Sequence, residues 1–318
     1  MKMNNFLVTG CAGFIGSHMV DVLRENNHNV LGIDNLTYAA KMENIEHHLE
    51  NGIMACDEFK IYPFDISIKT NMEHVFNYND IDCIINFAAE THVDNSIKGS
   101  DIFITSNVQG VKTLLDIARN HKIPFFQIST DEVYGSILEG SFSEESKLNP
   151  QNYYSATKAA AEHLVTAYNN TFDLEYLMVR MSNNYGPRQH TEKFLPTIIE
   201  SIKNNKKIPL YGNGENIRDW IYVKDSVRII YNLIINAPRN ETYNVTLNDE
   251  RKNIDVIKTV LENFDLDFND SVEFVEDRLG HDFRYSINNN KIQDFIDFEP
   301  TPFEEGVKQT IAFLKEQT

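Results

Sequence analysis

The 318-residue sequence predicts an α/β fold, a doubly wound parallel sheet with a second, smaller α/β domain beside it. The sheet is predicted because short apolar, β-prone runs alternate with segments whose apolar residues recur at helical spacing. The second domain is predicted because this alternation weakens after residue 185, where turns become frequent. A chain of this length also exceeds what one hydrophobic core usually organises.

The first strand and the residues after it form the pattern of a nucleotide site. Residues 5–9 are β-prone, and three glycines follow at once with G-x-x-G-x-x-G spacing before a helix that is predicted to continue to residue 25. Gly10 allows a tight turn, Gly13 a close approach of phosphate, and Gly16 close packing of helix on strand. The alternative is an ordinary glycine-rich loop that binds no ligand, and the flanking strand and helix argue against it.

Asp34 closes the second predicted strand, 29–33, roughly twenty residues after the glycines. An acid at this point accepts hydrogen bonds from an adenosine ribose and would repel a 2′-phosphate. We therefore expect NAD as the cofactor in preference to NADP. An acid that only ends a strand is the alternative.

Two further strands are predicted at 59–64 and 81–87. Asp65–Ile66 follows the first strand and is placed to meet an adenine ring. Ala88–Ala89 follows the second strand, where small side chains let the backbone approach a ligand. The second run is almost continuously apolar, as in a strand buried between two helix layers.

A pair of adjacent acids follows the fifth predicted strand, 125–129, in the sequence Ser-Thr-Asp-Glu-Val-Tyr-Gly. Unpaired charges are expensive to bury, but the carboxyl ends of parallel strands face the crevice where ligands bind. Asp131 and Glu132 could there divide two tasks, one giving a proton while the other takes one. A solvated turn that carries two acids is the alternative.

Tyr154 and Lys158 are four residues apart in a predicted helix that follows a Pro-Gln-Asn-Tyr break. They therefore share one helical face. A lysine ammonium beside a phenol lowers the pKa of the phenol, which predicts a base that takes a hydroxyl proton. Tyr-x-x-x-Lys also occurs by chance on many helices, so the prediction depends on the strands and glycine loop before it.

The sixth predicted strand, 174–179, ends the regular alternation. We place the nucleotide-binding domain at 1–185 and a mainly substrate-binding domain at 186–318. A helix at 223–236 is predicted to pack back on the sheet, and an amphipathic helix at 301–316 ends the pattern.

Charge and composition exclude several kinds of protein. The net charge of −18 argues against nucleic acid as a partner, because phosphate backbones need clustered Lys and Arg. Three separate cations, Lys193, Arg218 and Arg278, could still neutralise a small diphosphate, although surface cations are the alternative. The sequence contains no run of eighteen apolar residues, so no membrane span is predicted. The N-terminus has the pattern of a strand and not that of a signal peptide.

The three cysteines, Cys11, Cys56 and Cys83, have no metal-binding or disulfide spacing. This distribution fits a cytoplasmic protein without a metal, because a reducing compartment keeps thiols free.

Eight segments together resemble one family. They are TGCAGFIGS, GIDNLTYA, FAAETHVDNS, STDEVYG, YSATK, SNNYGP, GNGENIRDW and DRLGHDFRY. The chain resembles the dTDP-glucose 4,6-dehydratases, which are extended members of the short-chain dehydrogenase/reductase superfamily with a Rossmann fold. The glycine loop and YSATK are shared by the whole superfamily, whereas STDEVYG with FAAETHVDNS is narrower.

The resemblance implies an internal redox cycle with tightly held NAD. Tyr154 would take the O4 proton while hydride passes from C4 of glucose to NAD⁺. Glu132 would remove the C5 proton, Asp131 would protonate the departing O6 hydroxyl, and Thr130 would bond the sugar near O4. Hydride would then return to C6, giving a 4-keto-6-deoxy sugar.

The resemblance also implies the contacts to both ligands. The catalytic set would be Thr130, Asp131, Glu132, Tyr154 and Lys158. The residues implied for NAD are Gly10, Gly13, Phe14, Ile15, Gly16, Asp34, Asn35, Leu36, Thr37, Asp65, Ile66, Ala88, Ala89, Ser106, Tyr154, Lys158 and Asn184. The residues implied for the nucleotide sugar are Thr91, Thr130, Asn183, Lys193, Phe194, Pro209, Tyr211, Arg218, Asn248, Arg278, His281 and Tyr285.

Several alternatives stay open at this stage. Asn35, Ser106 and Leu279 differ from the residues common in the family, where Lys, Thr and Pro are found. The motifs do not separate dTDP-glucose from UDP-glucose. A 4-epimerase or decarboxylase would also need NAD and the Tyr–Lys pair, and a non-catalytic NAD-sensing regulator could keep the fold.

Family members commonly form homodimers, for which the helices at 108–121 and 154–170 are the candidates.

Overall fold

The computed structural model describes residues 3–49, 59–92, 96, 99–277 and 282–316. Its strands are, in chain order, β1 (Asn5–Thr9), β2 (Asn29–Ile33), β3 (Phe59–Tyr62), β4 (Cys83–Asn86), β5 (Phe125–Thr130), β6 (Tyr176–Met181), β7 (Asn183–Tyr185), β8 (Ile208–Tyr211), β9 (Ile217–Tyr222), β10 (Glu241–Val245), β11 (Glu250–Lys252) and β12 (Val272–Val275). Its main helices are α1 (Phe14–Glu25), α2 (Lys69–Tyr78), α3 (Val111–His121), α4 (Tyr153–Phe172), α5 (Phe194–Lys203), α6 (Val223–Asn236), α7 (Asn253–Glu262) and α8 (Phe303–Glu316).

Seven strands form one parallel sheet in the order β10-β6-β5-β4-β1-β2-β3. The order reverses between β1 and β4, and such a switch point opens a crevice at the carboxyl ends of the strands. The predicted α/β sheet is therefore confirmed. The strands at 5–9 and 29–33 match the prediction, and the ends of the other predicted strands differ by at most two residues.

Helices cover both faces of this sheet because side chains alternate along each strand. Phe6 and Val8 face a core that contains α1 and α6. Leu7 points the other way, into a core built with α2, α3 and α4. Residues 223–236, predicted to pack back on the sheet, are α6, and its apolar face lies in the same core as that of α1.

The chain beyond residue 185 contributes to several cores. The strands β7, β9 and β11 form a small mixed sheet, and β8 pairs with β12. Their apolar residues pack with α5, α7 and α8 in a third core. The same part of the chain also supplies β10, an edge strand that the sequence analysis did not predict. Its sequence, ETYNV, alternates polar residues with apolar ones too briefly to stand out.

One helix begins earlier than predicted. The helix expected from Val108 follows a continuous helical run that starts at Asp101 and passes through a π-helical stretch, Ile104–Gly110. Short π-helical insertions are frequent at functional sites, and Ser106 of this stretch lies in the cleft described below. Among the helices of the described residues, none has the length and apolar character needed to span a bilayer.

Candidate active site

A cleft of about 330 Å³ lies at the carboxyl ends of the central strands. This volume is at the lower end of the range, about 300–1,000 Å³, that small-molecule sites occupy. The predicted residues that line it are Gly10, Gly13, Phe14, Ile15, Gly16, Asp34, Asn35, Thr37, Asp65, Ile66, Ala88, Ala89, Thr91, Ser106, Thr130, Asp131, Glu132, Tyr154, Lys158, Asn183, Asn184 and Lys193. Residues from nine separate segments of the sequence thus share one cavity.

The glycine loop forms a cradle that side chains would fill. Gly10 has a φ of +68°, and a Cβ there would lie 2.8 Å from the backbone nitrogen of Ala88. A Cβ on Gly16 would lie 2.1 Å from the carbonyl oxygen of Gly10. Helix α1 begins here with no side-chain cap and no acidic residue in its first turn. Its first N–H groups therefore face the cleft as donors for an anion such as a pyrophosphate.

Asp34 is held in place by the backbone on both of its oxygens. Oδ2 accepts a hydrogen bond from the Ala12 nitrogen at 3.0 Å, and Oδ1 accepts one from the Leu36 nitrogen at 2.9 Å. Carboxylate oxygens have further lone pairs, so the fixed group can still accept ribose hydroxyls. Asn35 donates to Asp65 at 3.3 Å and so joins the ends of β2 and β3.

The two adjacent acids lie in a single turn of 3₁₀-helix directly after β5. Thr130 caps this turn by accepting a hydrogen bond from the Glu132 nitrogen at 3.3 Å. The Thr130 hydroxyl also donates to Oδ1 of Asp131 at 3.2 Å. Oδ2 of Asp131 is buried and has no partner among the described residues. Glu132 Oε2 instead accepts a bond from the amide of Asn152 at 3.2 Å.

The surroundings of these acids separate their affinities for protons. Burial raises the pKa of Asp131 well above its usual range, and the charges of Glu132 and Asp219 raise it further. Burial also raises the pKa of Glu132, but the Asn152 hydrogen bond and the charge of Arg218 oppose that shift. Asp131 therefore keeps its proton more strongly, as a general acid needs, while Glu132 is the better base.

Tyr154 and Lys158 lie on the cleft-facing side of α4, as the four-residue spacing predicts, and both are buried. The expected effect of the lysine on the phenol is absent. Lys158 Nζ donates to the Ile128 carbonyl at 2.6 Å, and burial lowers the pKa of Lys158 to about 8. Burial and the charge of Glu132 raise the pKa of Tyr154, and only a hydrogen bond with Thr130 lowers it. The tyrosine is thus a protonated phenol here, because desolvation raises its pKa and Lys158 is not among the groups that shift it.

The residues predicted for the nucleotide sugar are less closely gathered. Thr91, Asn183 and Lys193 line the cleft, and Lys193 Nζ donates to the Thr91 carbonyl at 3.2 Å. The other predicted sugar residues that the structure describes are not part of the cleft lining; they are Phe194, Pro209, Tyr211, Arg218, Asn248 and Tyr285. Of the residues predicted for NAD, Leu36 is not part of the lining either. Arg278 and His281 lie outside the described residues.

Arg218 and Tyr285 nevertheless form one unit beside the acids. The Arg218 guanidinium lies 4.4 Å from the centre of the Tyr285 ring and donates to the Asp282 carbonyl at 2.9 Å. Its charge lowers the pKa of Glu132. A predicted diphosphate-binding cation is therefore electrostatically coupled to the catalytic region.

Sequence reasoning missed several residues that line the cleft or hold one of its acids. Asn152, which holds Glu132, is the N-cap of α4 in a capping box with Ser155. The Asn-x-x-Ser spacing before the helix could have indicated it. Gln189, His190 and Glu192 also line the cleft, but they lie in a loop without a recognisable pattern. The remaining unpredicted lining residues are Ile33, Ala39, Ala40, Phe64, Phe87, Glu90, Ile128, Ser129, Met181 and Ser182.

Comparison with known proteins gives concordant results. The model of the family described as GDP-mannose 4,6 dehydratase matches residues 7–310. A low-salt glycan biosynthesis protein, Agl12, of Haloferax volcanii is 42% identical over 96% of this chain and 97% of its own. A dTDP-glucose 4,6-dehydratase of Haemophilus influenzae is 36% identical over 98% of both chains. The crystal structure of DesIV, a dTDP-glucose 4,6-dehydratase of Streptomyces venezuelae with NAD and TYD bound, superposes with a TM-score of 0.91. It is 35% identical and covers 98% of this chain and 97% of its own.

Proposed function

The chain belongs to the nucleotide-sugar 4,6-dehydratases of the short-chain dehydrogenase/reductase superfamily, and on this premise we propose that it converts dTDP-glucose to dTDP-4-keto-6-deoxyglucose. The protein is an NAD-dependent hydro-lyase of nucleotide-sugar metabolism. The choice of dTDP is supported by the names of its relatives, since both the enzyme of Haemophilus influenzae and DesIV act on dTDP-glucose. UDP-glucose is the competing donor.

The arrangement of Asp131 and Glu132 carries this proposal. A 4-epimerase or a decarboxylase has no need for an acid pair that eliminates water across C5 and C6. In this chain the two acids follow one strand, line the cleft and accept hydrogen bonds from different donors: the Thr130 hydroxyl for Asp131 and the Asn152 amide for Glu132. A non-catalytic NAD-sensing protein would have no use for buried acids whose proton affinities are separated in this way.

NAD fits the cofactor half of the cleft. The uncapped N-terminus of α1 and the space over Gly10 and Gly13 suit a pyrophosphate, and the fixed carboxylate of Asp34 suits a ribose. Bound NAD supplies a reversible two-electron acceptor and, when oxidised, a positive charge. Such a charge near Tyr154 would lower the pKa of the phenol, which burial alone raises.

The side chains then divide the proton transfers among them. Tyr154 accepts the O4 proton when C4 is oxidised to the ketone. The ketone acidifies the C5 proton, which Glu132 removes, while Asp131 donates the proton that lets O6 depart as water. The carboxyl group of Asp131 suits this role, because the residue lines the cleft and Thr130 orients its Oδ1.

We propose further that the protein is a cytoplasmic homodimer. Cys11 and Cys83 are free and buried, which suits a reducing compartment. Exposed apolar side chains next to the predicted dimer helices, at Ile102 and Ile104 before the first and Phe172 after the second, support pairing through this face. Sedimentation equilibrium would give the mass of the assembly, and a monomer across the micromolar range would contradict this part.

Incubation of the purified protein with dTDP-glucose and, separately, UDP-glucose tests the function. Mass spectrometry should show loss of one water, and the ratio of the two kcat/KM values identifies the natural nucleotide. A higher kcat/KM for UDP-glucose would contradict the proposed donor. Bound NAD without loss of water from either sugar would contradict dehydration and favour an epimerase.

A further inference from the structure

A buried ion pair joins the helix that carries Tyr154 and Lys158 to the strand next to β5. Glu162 of α4 is 2% exposed and Arg180 of β6 is 6% exposed. Arg180 Nη2 donates to Oε2 of Glu162 at 2.7 Å, and Nε donates to Oε1 at 3.2 Å. Neither residue takes part in the proposed proton transfers. Because apolar residues of the same size are often at least as stabilising as a buried ion pair, stability alone does not explain this one.

The pair is bonded to both ends of the segment that carries the two acids, which we call the acid segment, Thr130–Val133. The Ser129 hydroxyl, directly before the segment, donates to Oε1 of Glu162 at 2.5 Å. The Tyr134 hydroxyl, directly after it, accepts a hydrogen bond from Nη1 of Arg180 at 2.6 Å. One ion pair thus fixes the chain on either side of both acids.

Tyr134 has further contacts that anchor the far end of the acid segment. Its hydroxyl donates to Oδ1 of Asn244 in β10 at 2.8 Å. Its ring is stacked on that of Phe142, with the ring centres 5.1 Å apart and the planes at 12°. Tyr134 is 1% exposed, and hydrogen bonds are stronger in such a low-dielectric interior than in water. The end of the acid segment is therefore tied to both β6 and β10.

Glu162 relates the same segment to the catalytic helix. It lies one helical turn after Lys158, as Lys158 lies one turn after Tyr154, and the three side chains are buried. The residue that bonds Ser129 is therefore on the helix that carries the Tyr–Lys pair. The ion pair sets where the strand end with the acids lies relative to that helix.

We infer that Glu162 and Arg180 are positioning residues that fix the acid segment against α4, so that both acids reach the carbons next to the one that Tyr154 serves. Glu162, Arg180 and Tyr134 are not part of the cleft lining, so they act through the acids and not on the sugar. Oxidation at C4 needs Tyr154 and NAD, whereas elimination across C5 and C6 also needs the acids in place. This inference rests on the proposed dehydratase function.

The variant Tyr134→Phe tests the inference without leaving a buried charge unpaired. It deletes the bonds of the hydroxyl to Arg180 and Asn244 and keeps the ring. Tyr243→Phe is the matched control, since Tyr243 is 2% exposed, bonds the Pro238 carbonyl at 3.2 Å and lies outside the cleft lining. Each variant loses one hydroxyl of a buried tyrosine, and melting temperatures would show what each hydroxyl contributes to stability.

We expect Tyr134→Phe to lower kcat about tenfold, less than the roughly 10²-fold cost of a 1 Å misplacement, and to leave KM unchanged. Because C4 oxidation continues while elimination slows, a larger share of the enzyme should hold NADH in the steady state. The absorbance of the reduced nicotinamide measures that share. Tyr243→Phe should keep the wild-type kcat and the wild-type share of NADH, whatever its melting temperature.

Two results would overturn the inference. One is the same kcat and NADH share in Tyr134→Phe as in Tyr243→Phe, which would leave the ion pair with a structural role only. The other is a fall in kcat with no rise in NADH, which would show that oxidation and elimination slow together. Should Tyr134→Phe fail to fold, Ser129→Ala removes the contact at the other end of the acid segment. An unchanged share of NADH in that variant would equally overturn the inference.

Failure of this inference is distinguishable from failure of the proposed function. If the function is wrong, the wild-type enzyme forms no dehydrated sugar. If only the positioning role is wrong, the wild-type enzyme dehydrates its substrate and the variants show no extra NADH.

Discussion

The two walls of the cleft differ in how they meet a ligand. The cofactor wall, Gly10–Gly16 with Asp34, presents backbone N–H groups and a carboxylate fixed by the backbone. The catalytic wall, Thr130–Glu132 with Tyr154 and Lys158, presents buried titratable side chains. Ligand binding at the first wall depends on the shape of the backbone, whereas the chemistry at the second wall depends on the charges of its side chains. Substitutions in the first should therefore change binding and stability, and substitutions in the second should change the chemistry of a folded protein.

Glu132→Gln should have the largest effect on the catalytic wall. An amide cannot remove the C5 proton, so we expect kcat to fall by about 10³-fold, within the range for general bases. The variant should retain bound NAD and the wild-type melting temperature. Mass spectrometry for water loss and assay of bound NAD would check this, with Glu145→Gln, an exposed acid outside the cleft, as the matched control. Near-normal turnover would show that Glu132 is not the base.

Asp131→Asn should have a smaller and more selective effect. We expect about a 10²-fold loss of the elimination rate, because the amide still offers a donor to O6 but no acid proton. Oxidation at C4 should slow less than elimination. The isotope effect from deuterium at C4 would distinguish the steps, since it should diminish as elimination becomes rate-limiting. An isotope effect that increased would contradict the role of Asp131 as the acid.

Gly16→Ala should disrupt the cofactor wall without a change in any charge. The new Cβ would lie 2.1 Å from the Gly10 carbonyl oxygen, and overpacking of this kind typically costs about 1–3 kcal/mol. We expect a lower melting temperature and loss of bound NAD, both measured on the purified protein. The matched control is Gly99→Ala, where a Cβ would meet no atom within 4 Å. Equal NAD content in both variants would contradict the claim that NAD binding depends on the absence of a Cβ at Gly16.

Asp219→Asn should have the smallest effect, a shift in pH dependence. Burial raises the pKa of Asp219 to about 7, and its ionised form raises the pKa of Asp131. Removing that charge should lower the pKa of Asp131, so its acid form is lost at a lower pH. The alkaline limb of the kcat profile should move down by about one pH unit, the usual spread that protein environments impose. A shift toward higher pH would contradict this coupling.

Local patterns explain which parts were predictable from the sequence. The strand Asn5–Thr9, the glycines and Asp34 are specified by neighbours in sequence, and the predicted sheet and nucleotide-sugar dehydratase family are confirmed. The strand β10 was missed because its burial depends on pairing with β6, which no local pattern encodes. The individual roles of the predicted site residues stay predictions until the variants are measured.

The sequence by itself determined the first six strands of the sheet, the family and the position of two adjacent acids after β5, because each depends on residue types at short spacing. Only the tertiary structure decided which acid holds its proton. Asn152, brought by the start of α4, bonds Glu132, while Asp219 of β9 adds a like charge near Asp131. It also decided that Lys158 donates to a backbone carbonyl and that Thr130 donates to Asp131. A pKa depends on burial and on charges from distant segments, and folding alone brings those together.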